Sequence, residues 1–180
     1  MAALENIQMI KGSQLMIFRK VGTAWKSVGF ATNHQLSIQT STSSVQTKDH
    51  GNYPAVVPQQ TTWTLTAENV YCDTGAATDA SNAERIYMKM LNDQEEVDLY
   101  FSKATWNAAN LGAQGYGIVA GTQGAGATVP TDGSWTRATG AANTVIHGKA
   151  YVTDFSVNAP TGDYATLSVT FTGSGAFTTT

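Results

Sequence analysis

Tyr151-Val-Thr-Asp-Phe-Ser-Val157, the turn Asn158-Ala-Pro-Thr-Gly-Asp163 and Tyr164-Ala-Thr-Leu-Ser-Val-Thr-Phe-Thr172 form the stretch whose reading decides the fold. In its second half Ala165, Leu167, Val169 and Phe171 alternate with Tyr164, Thr166, Ser168, Thr170 and Thr172. That is the period-two pattern of a strand with one face buried and one hydroxyl-rich face. The first half alternates Tyr151, Thr153, Phe155 and Val157 with Val152, Asp154 and Ser156. Turn residues stand between the halves, so the pair predicts a β-hairpin with a longer loop.

The same logic extends outward. Thr61 to Cys72 sets Trp63, Leu65 and Ala67 against Thr62, Thr64, Thr66 and Glu68. Lys26 to Thr40 alternates through Val28, Phe30, Leu36 and Ile38, with a bend expected at Thr32 to His34. Val97, Leu99 and Phe101 mark a short strand, and the run Leu15-Met-Ile-Phe18 within Gln14 to Lys20 fits a strand covered on both faces. One helix is signalled over Asn82 to Leu91. Ser81 and Glu84 fit a capping box, and Ile86, Tyr87, Met90 and Leu91 form an apolar side that can dock on a sheet. The expected fold is mainly β: a β-sandwich or partly closed barrel with one flanking α-helix and a long projecting loop.

Two segments do not pattern as core. Thr40 to Gln60 is polar and interrupted by Gly51, Pro54 and Pro58, so it is expected to project as an arm or loose hairpin. Ala104 to Asn143 is rich in Gly, Ala and Thr and reads as an irregular excursion, with a short strand at Tyr116 to Val119. At 180 residues the chain fits a single domain, 1–180, with 40–60 as arm and 104–143 as excursion.

Composition narrows the function classes. Charged residues make up 13% of the chain, about half the usual share, against 42% hydrophobic. A weakly charged surface covered by Thr, Ser, Gly, Asn and Gln packs against copies of itself at low desolvation cost. The net charge of -3 leaves no basic footprint for sequence-specific nucleic-acid binding. Cys72 is the only cysteine, which excludes an internal disulfide framework. No run reaches the ~20 apolar residues of a membrane span, and the N-terminus lacks the basic start of a secretory signal. A soluble product of the cytoplasm is expected, without membrane contact.

Motifs of chemistry are weak. Asp73-Thr-Gly75 matches the aspartic protease tripeptide, but no second Asp lobe accompanies it and it leads into a helix cap. Gly121-Thr-Gln-Gly-Ala-Gly126 lacks the Lys-Ser/Thr pair and following helix of a phosphate loop. His34, His50 and His147 show no metal-ligand spacing. The expectation is no enzyme, no cofactor and no metal. Trp106 and Trp135, in the Gly-rich excursion, are the residues that a glycan-binding β-sandwich module of a phage or cell surface would use, which is the main alternative.

The order of parts, Lys11-Gly-Ser-Gln-Leu-Met-Ile-Phe18, a long loop before the Trp63 strand, one helix after it, and above all Gly148-Lys-Ala-Tyr-Val-Thr-Asp-Phe through Thr172-Gly-Ser-Gly175, resembles the major tail tube proteins of long-tailed bacteriophages. The wider superfamily includes the tubes of contractile tails, bacteriocins and type VI secretion. The resemblance implies a virion structural protein, assembled in the bacterial host cytoplasm, that forms hexameric rings stacked into a tube. DNA would pass through the lumen during genome ejection without being gripped. It also implies tail initiator and terminator proteins and a lumenal tape-measure protein as partners. The family's long loop corresponds to Thr40 to Gln60, so Val45, Lys48, Asp49, His50, Tyr53 and Val56 are the candidate subunit-interface residues. They sit at the turn-rich arm tip, which cannot contribute to the subunit's own core.

Overall fold

The computed structural model describes residues 10–28, 31–46, 48, 53–70, 83–106 and 135–179. Its elements in chain order are β1 (Leu15–Val21), β2 (Ala24–Ser27), β3 (Ala31–Val45), β4 (Ala55–Val70), α1 (Ala83–Asp93), β5 (Glu96–Trp106), β6 (Trp135–Arg137), β7 (Thr144–Asn158) and β8 (Thr166–Thr178). All neighbouring strands are antiparallel, in the order β2-β1-β5-β7-β8-β4-β3, with β6 added to the end of β5. The deciding stretch is the β7–β8 hairpin, and both strands run further than the sequence pattern predicts.

One sheet closes most of the way around a single core. Ile17, Leu99, Ile146, Val152, Val169, Phe171, Leu65 and Trp63, drawn from β1, β5, β7, β8 and β4, belong to one buried cluster. Strands β1 and β3 lie near opposite ends of the strand order, yet they meet. His34 on β3 places its Nδ1 3.3 Å from the Leu15 carbonyl on β1. Of the two predicted architectures, the partly closed barrel is therefore the one adopted. Helix α1 covers the core with Tyr87 and Met90, and Tyr87 meets Phe171 edge to face at 5.7 Å.

Trp63 sets the curvature. Its ring crosses from β4 onto β7 and β8, where the chain has Gly148 and Gly173. A Cβ at Gly173 would lie 2.0 Å from Trp63 Cε2, and one at Gly148 2.7 Å from Cζ2. The indole N–H donates to the Gly175 carbonyl at 3.2 Å, and Phe177 closes over the ring. A large aromatic lying flat on backbone buries more area than one held off by side chains.

Several local departures have physical reasons. The run Met16 to Arg19 is buried throughout because β1 is covered on both faces, as predicted. Met16 and Phe18 join Ala104, Trp25, Tyr100 and Trp135 in a second, smaller cluster. The bend expected at Thr32 is a register irregularity between Ala31 and Asn33. In β7 a bulge between Val152 and Asp154 shifts the alternation. Ala150 and Val152 are consequently buried while Tyr151 is exposed, and the inward role passes to Phe155 beyond the bulge. Helix α1 ends where Gln94 takes a positive φ of 51°, and the Glu95 N–H bonds back to the Met90 carbonyl at 3.1 Å. This closure turns the chain directly into β5. Ser81 of the expected cap, Cys72, and the strand expected at Tyr116 to Val119 lie outside the described residues.

Two expectations follow. Gly173→Ala should lower stability by about 1 to 3 kcal/mol through overpacking against Trp63, whereas Gly12→Ala, with no atom near its added methyl, should leave the urea midpoint unchanged. The second concerns pH. Burial holds the His34 imidazole below its ordinary pKa of 6.5, and its Nε2 is buried without a partner. The unfolded chain therefore takes up a proton that the folded chain resists, so this contribution to stability is intact above the unfolded pKa and falls away on acidification below it. The denaturation midpoint should fall between about pH 7.5 and about pH 5.5, and His34→Gln, which cannot titrate, should flatten that fall.

Candidate assembly surfaces

Strands β3 and β4 pair far beyond the body of the sheet. Strand β8 accompanies β4 only from Thr64 to Val70, while the β3–β4 ladder continues through Thr40↔Thr61, Thr42↔Pro58 and Ser44↔Val56 to Val45↔Ala55. The predicted arm is thus a regular two-stranded ribbon over much of its length. Its pattern was hidden from sequence reading because Pro58 sits inside β4. Proline survives there because β8 has already ended, so the missing N–H faces no partner.

A bulge between Thr40 and Thr42 fixes which backbone groups point where. The Ser41 hydroxyl donates to the Gln60 carbonyl at 3.2 Å and accepts from the Gln60 N–H at 3.1 Å. Ser41 therefore faces β4, as Ser43 and Val45 do by alternation. Thr40, Thr42 and Ser44 then turn their N–H and C=O groups to the free edge. Past the His34 contact, β3 has no strand partner on that side among the described residues. The fifteen residues of Ala31–Val45 include no Lys, Arg, Asp, Glu, Pro or Gly. A long edge without charge, proline or glycine lacks the usual protection against pairing with another chain.

The predicted interface residues fall on this ribbon. Val45, Tyr53 and Val56 are exposed, Tyr53 at 84% and Val56 at 63%, and Lys48 is exposed as well. Asp49 and His50 lie outside the described residues. Val57 and Ile38, both exposed and apolar, extend the same surface and were not singled out from the sequence. The signal was present in the unbroken uncharged run of β3, which periodicity alone does not distinguish from a buried strand.

The sheet's other face carries hydroxyls. Thr64, Thr66, Thr153, Thr170 and Thr172 stand side by side on β4, β8 and β7, with Thr153 and Thr172 Oγ1 atoms 2.7 Å apart and those of Thr66 and Thr170 3.4 Å apart. The residues expected to form a glycan platform are placed differently. Trp135 is half-buried, packed on the Met16, Phe18 and Ala104 cluster of its own subunit. Local alternation resumes after the Gly-rich segment and draws it inward. Nearby, Tyr100 stacks on His147 at 3.9 Å and Arg137 lies over the Tyr100 ring at 4.1 Å. Asp73, the Gly121–Gly126 loop and the Trp106 side chain lie outside the described residues. No cluster of three or more metal-ligating side chains occurs among the described residues.

No family model matches the sequence, and no curated protein matches it. Solved structures do match. A chain in the tail of an empty gene transfer agent particle, refined with C6 symmetry, superposes with a TM-score of 0.60 at 11% identity, covering 94% of this chain and 98% of that one. The chain has the fold of a phage tail tube protein. A chain of the native gene transfer agent virion gives a TM-score of 0.57 at 12% identity over 94% of this chain and 97% of its own. The SPP1 tail tube subunit, solved by solid-state NMR and cryo-electron microscopy, gives 0.56 at 8% identity over 93% and 77%. At such identities the match is one of architecture. The tail-tube fold here keeps its sheet open at β3, with the arm beyond it.

The bulge geometry predicts an asymmetry between adjacent positions. Thr42→Pro removes an N–H that faces the free edge and should leave the monomer's circular dichroism and urea midpoint nearly unchanged. Ser43→Pro removes a ladder bond to β4 and should destabilise by about 3 kcal/mol or melt the arm.

Proposed function

We propose that this chain is the structural subunit of a phage-type tail tube, in which hexameric rings stack around a lumen that DNA traverses. Residues 1–180 act as one tube-forming unit, non-enzymatic and without a cofactor. The observation that carries the reading is the long, uncharged free edge of β3 in a chain with the tail-tube fold. In a lone subunit that edge is an aggregation hazard. In a ring each edge meets a different patch of the next copy, and the contact closes on itself. The C6 symmetry of the gene transfer agent tail supports six as the ring number.

The arm residues Val45, Lys48, Asp49, His50, Tyr53 and Val56 are assigned to contacts between copies. They are too far beyond β8 to serve the subunit's own core. The hydroxyl face suits a wall past which a polyanion slides, since it offers no cations for phosphate to pair with. The virion tail, built in the host cytoplasm with initiator, terminator and tape-measure proteins, is the proposed setting.

Negative-stain microscopy of the purified protein, alone and concentrated, should show rings or tubes without added ligand. Thr42→Pro combined with Ser44→Pro should abolish them while the monomer remains folded. Deleting Val45 to Pro58 should likewise leave circular dichroism intact and stop tube growth; tubes of normal length from that deletion would remove the arm from assembly. A protein that stays monomeric at every concentration and beside its initiator, yet binds a sugar saturably, would favour the glycan-module alternative.

A further inference from the structure

The two ends of the barrel differ in charge. One end carries the β1–β2 turn, the α1–β5 turn, the β7–β8 loop and the last residues of β4. Glu68, Glu95 and Asp163 are exposed there and make no salt bridge. Other carboxylates at this end are already matched: Asp98 by Lys20 at 3.7 Å, Glu96 by Lys149 at 2.9 Å, and Asp93 by Lys89. The opposite end carries the start of β1, the end of β5 and the arm. Its described charges are Lys11, Lys48 and Lys103, and none of them makes a salt bridge. Every described carboxylate lies toward the first end, whereas Glu5, Asp49 and Asp132 fall outside the described residues.

The acidic end is also concave. A cleft between α1 and the strands is lined by Lys20, Glu95, Glu96, Asp98 and Lys149, with Gly22 and Met90 at its floor and rim. Its two lysines are each held by one of its carboxylates, which leaves Glu95 as the surplus charge.

We infer that copies stack head to tail with a fixed polarity, the arm end of one copy seating on the acidic cleft end of the next, so that Lys48 at the arm tip meets Glu95. The inference rests on the tube reading and adds which ends meet and through which charges. An arm that engaged a neighbour within its own ring would leave the surplus carboxylates and the arm-end lysines at opposite, uncompensated surfaces of every ring. Stacking arm end to cleft end pairs them at each step. Single exposed pairs contribute little, but the contact repeats around each ring and is set by charge, so it fixes direction and register more than strength.

The test compares ring formation with ring stacking. Wild-type protein is imaged at ionic strengths from about 0.1 M to about 1 M, which shortens the screening length from ~10 Å to ~3 Å. Rings should persist while mean tube length falls several-fold. Lys48→Glu should form rings that stack poorly at low salt, Glu95→Lys likewise, and the two changes combined in one chain should restore wild-type length. Circular dichroism confirms that each variant folds. Tube length indifferent to salt and to both single reversals, or a double reversal no better than either single one, overturns the charge pairing while leaving the ring reading intact. Absence of rings at every salt overturns both.

Discussion

The fit of the Trp63 indole onto two glycine backbones is the contact on which the rest of the architecture depends. An antiparallel sheet with this strand order can lie nearly flat or curl, and what fills its concave side decides between them. Here a single ring reaches from β4 across β8 to β7, and it can do so only because Gly173 and Gly148 present no side chain beneath it. Drawing three strands around one aromatic brings β3 close enough to β1 for His34 to reach the Leu15 carbonyl. The barrel is thus closed from inside by packing and pinned at its seam by one polar contact.

That closure leaves its own marks. The fully buried Asn69 side chain has no hydrogen-bond partner, and neither has Nε2 of His34. Both lie on the inward side of β3 and β4, the strands that bend most to reach the seam. Tyr87, sealed against Phe171, has its phenol pushed up to about 12 by burial, with the Arg19 charge pulling the other way. Polar groups are therefore enclosed where apolar ones would pack more cheaply, which marks the helix-covered mouth of the barrel as its least settled region.

Much of this was legible in the sequence because alternation survives wherever one face of a strand is wet. Ala165 to Phe171, Trp63 to Ala67 and Val97 to Phe101 read directly as strands, and the doubly covered run at Met16 to Phe18 read as one too. Three things were not legible. Bulges at Val152 and Thr40 change the phase of a strand without changing its composition, so Tyr151 and Phe155 could not be assigned to opposite faces. Strand β6 resumes after a long Gly-rich segment and takes Trp135 inward, which local pattern cannot foresee. The ordered length of the arm was masked by Pro58, a residue that ordinarily argues against a strand and is tolerated only because β8 stops short. Of the candidate interface, the location on the arm could be read, but the direction in which its backbone groups point depends on a bulge that only the register reveals.

The bulge opposite Ser41 has one more consequence. The extra residue in β4 inverts its alternation relative to β3, so past that point Val45 pairs with Ala55 and Ser43 with Val57 on one side of the ribbon, while Val56 and Pro58 occupy the reverse side. A blade with greasy patches front and back cannot be dried by lying on any flat surface, since half of them would stay wet. Only a slot with two walls removes both from water, and a slot of that kind exists where three bodies converge rather than two.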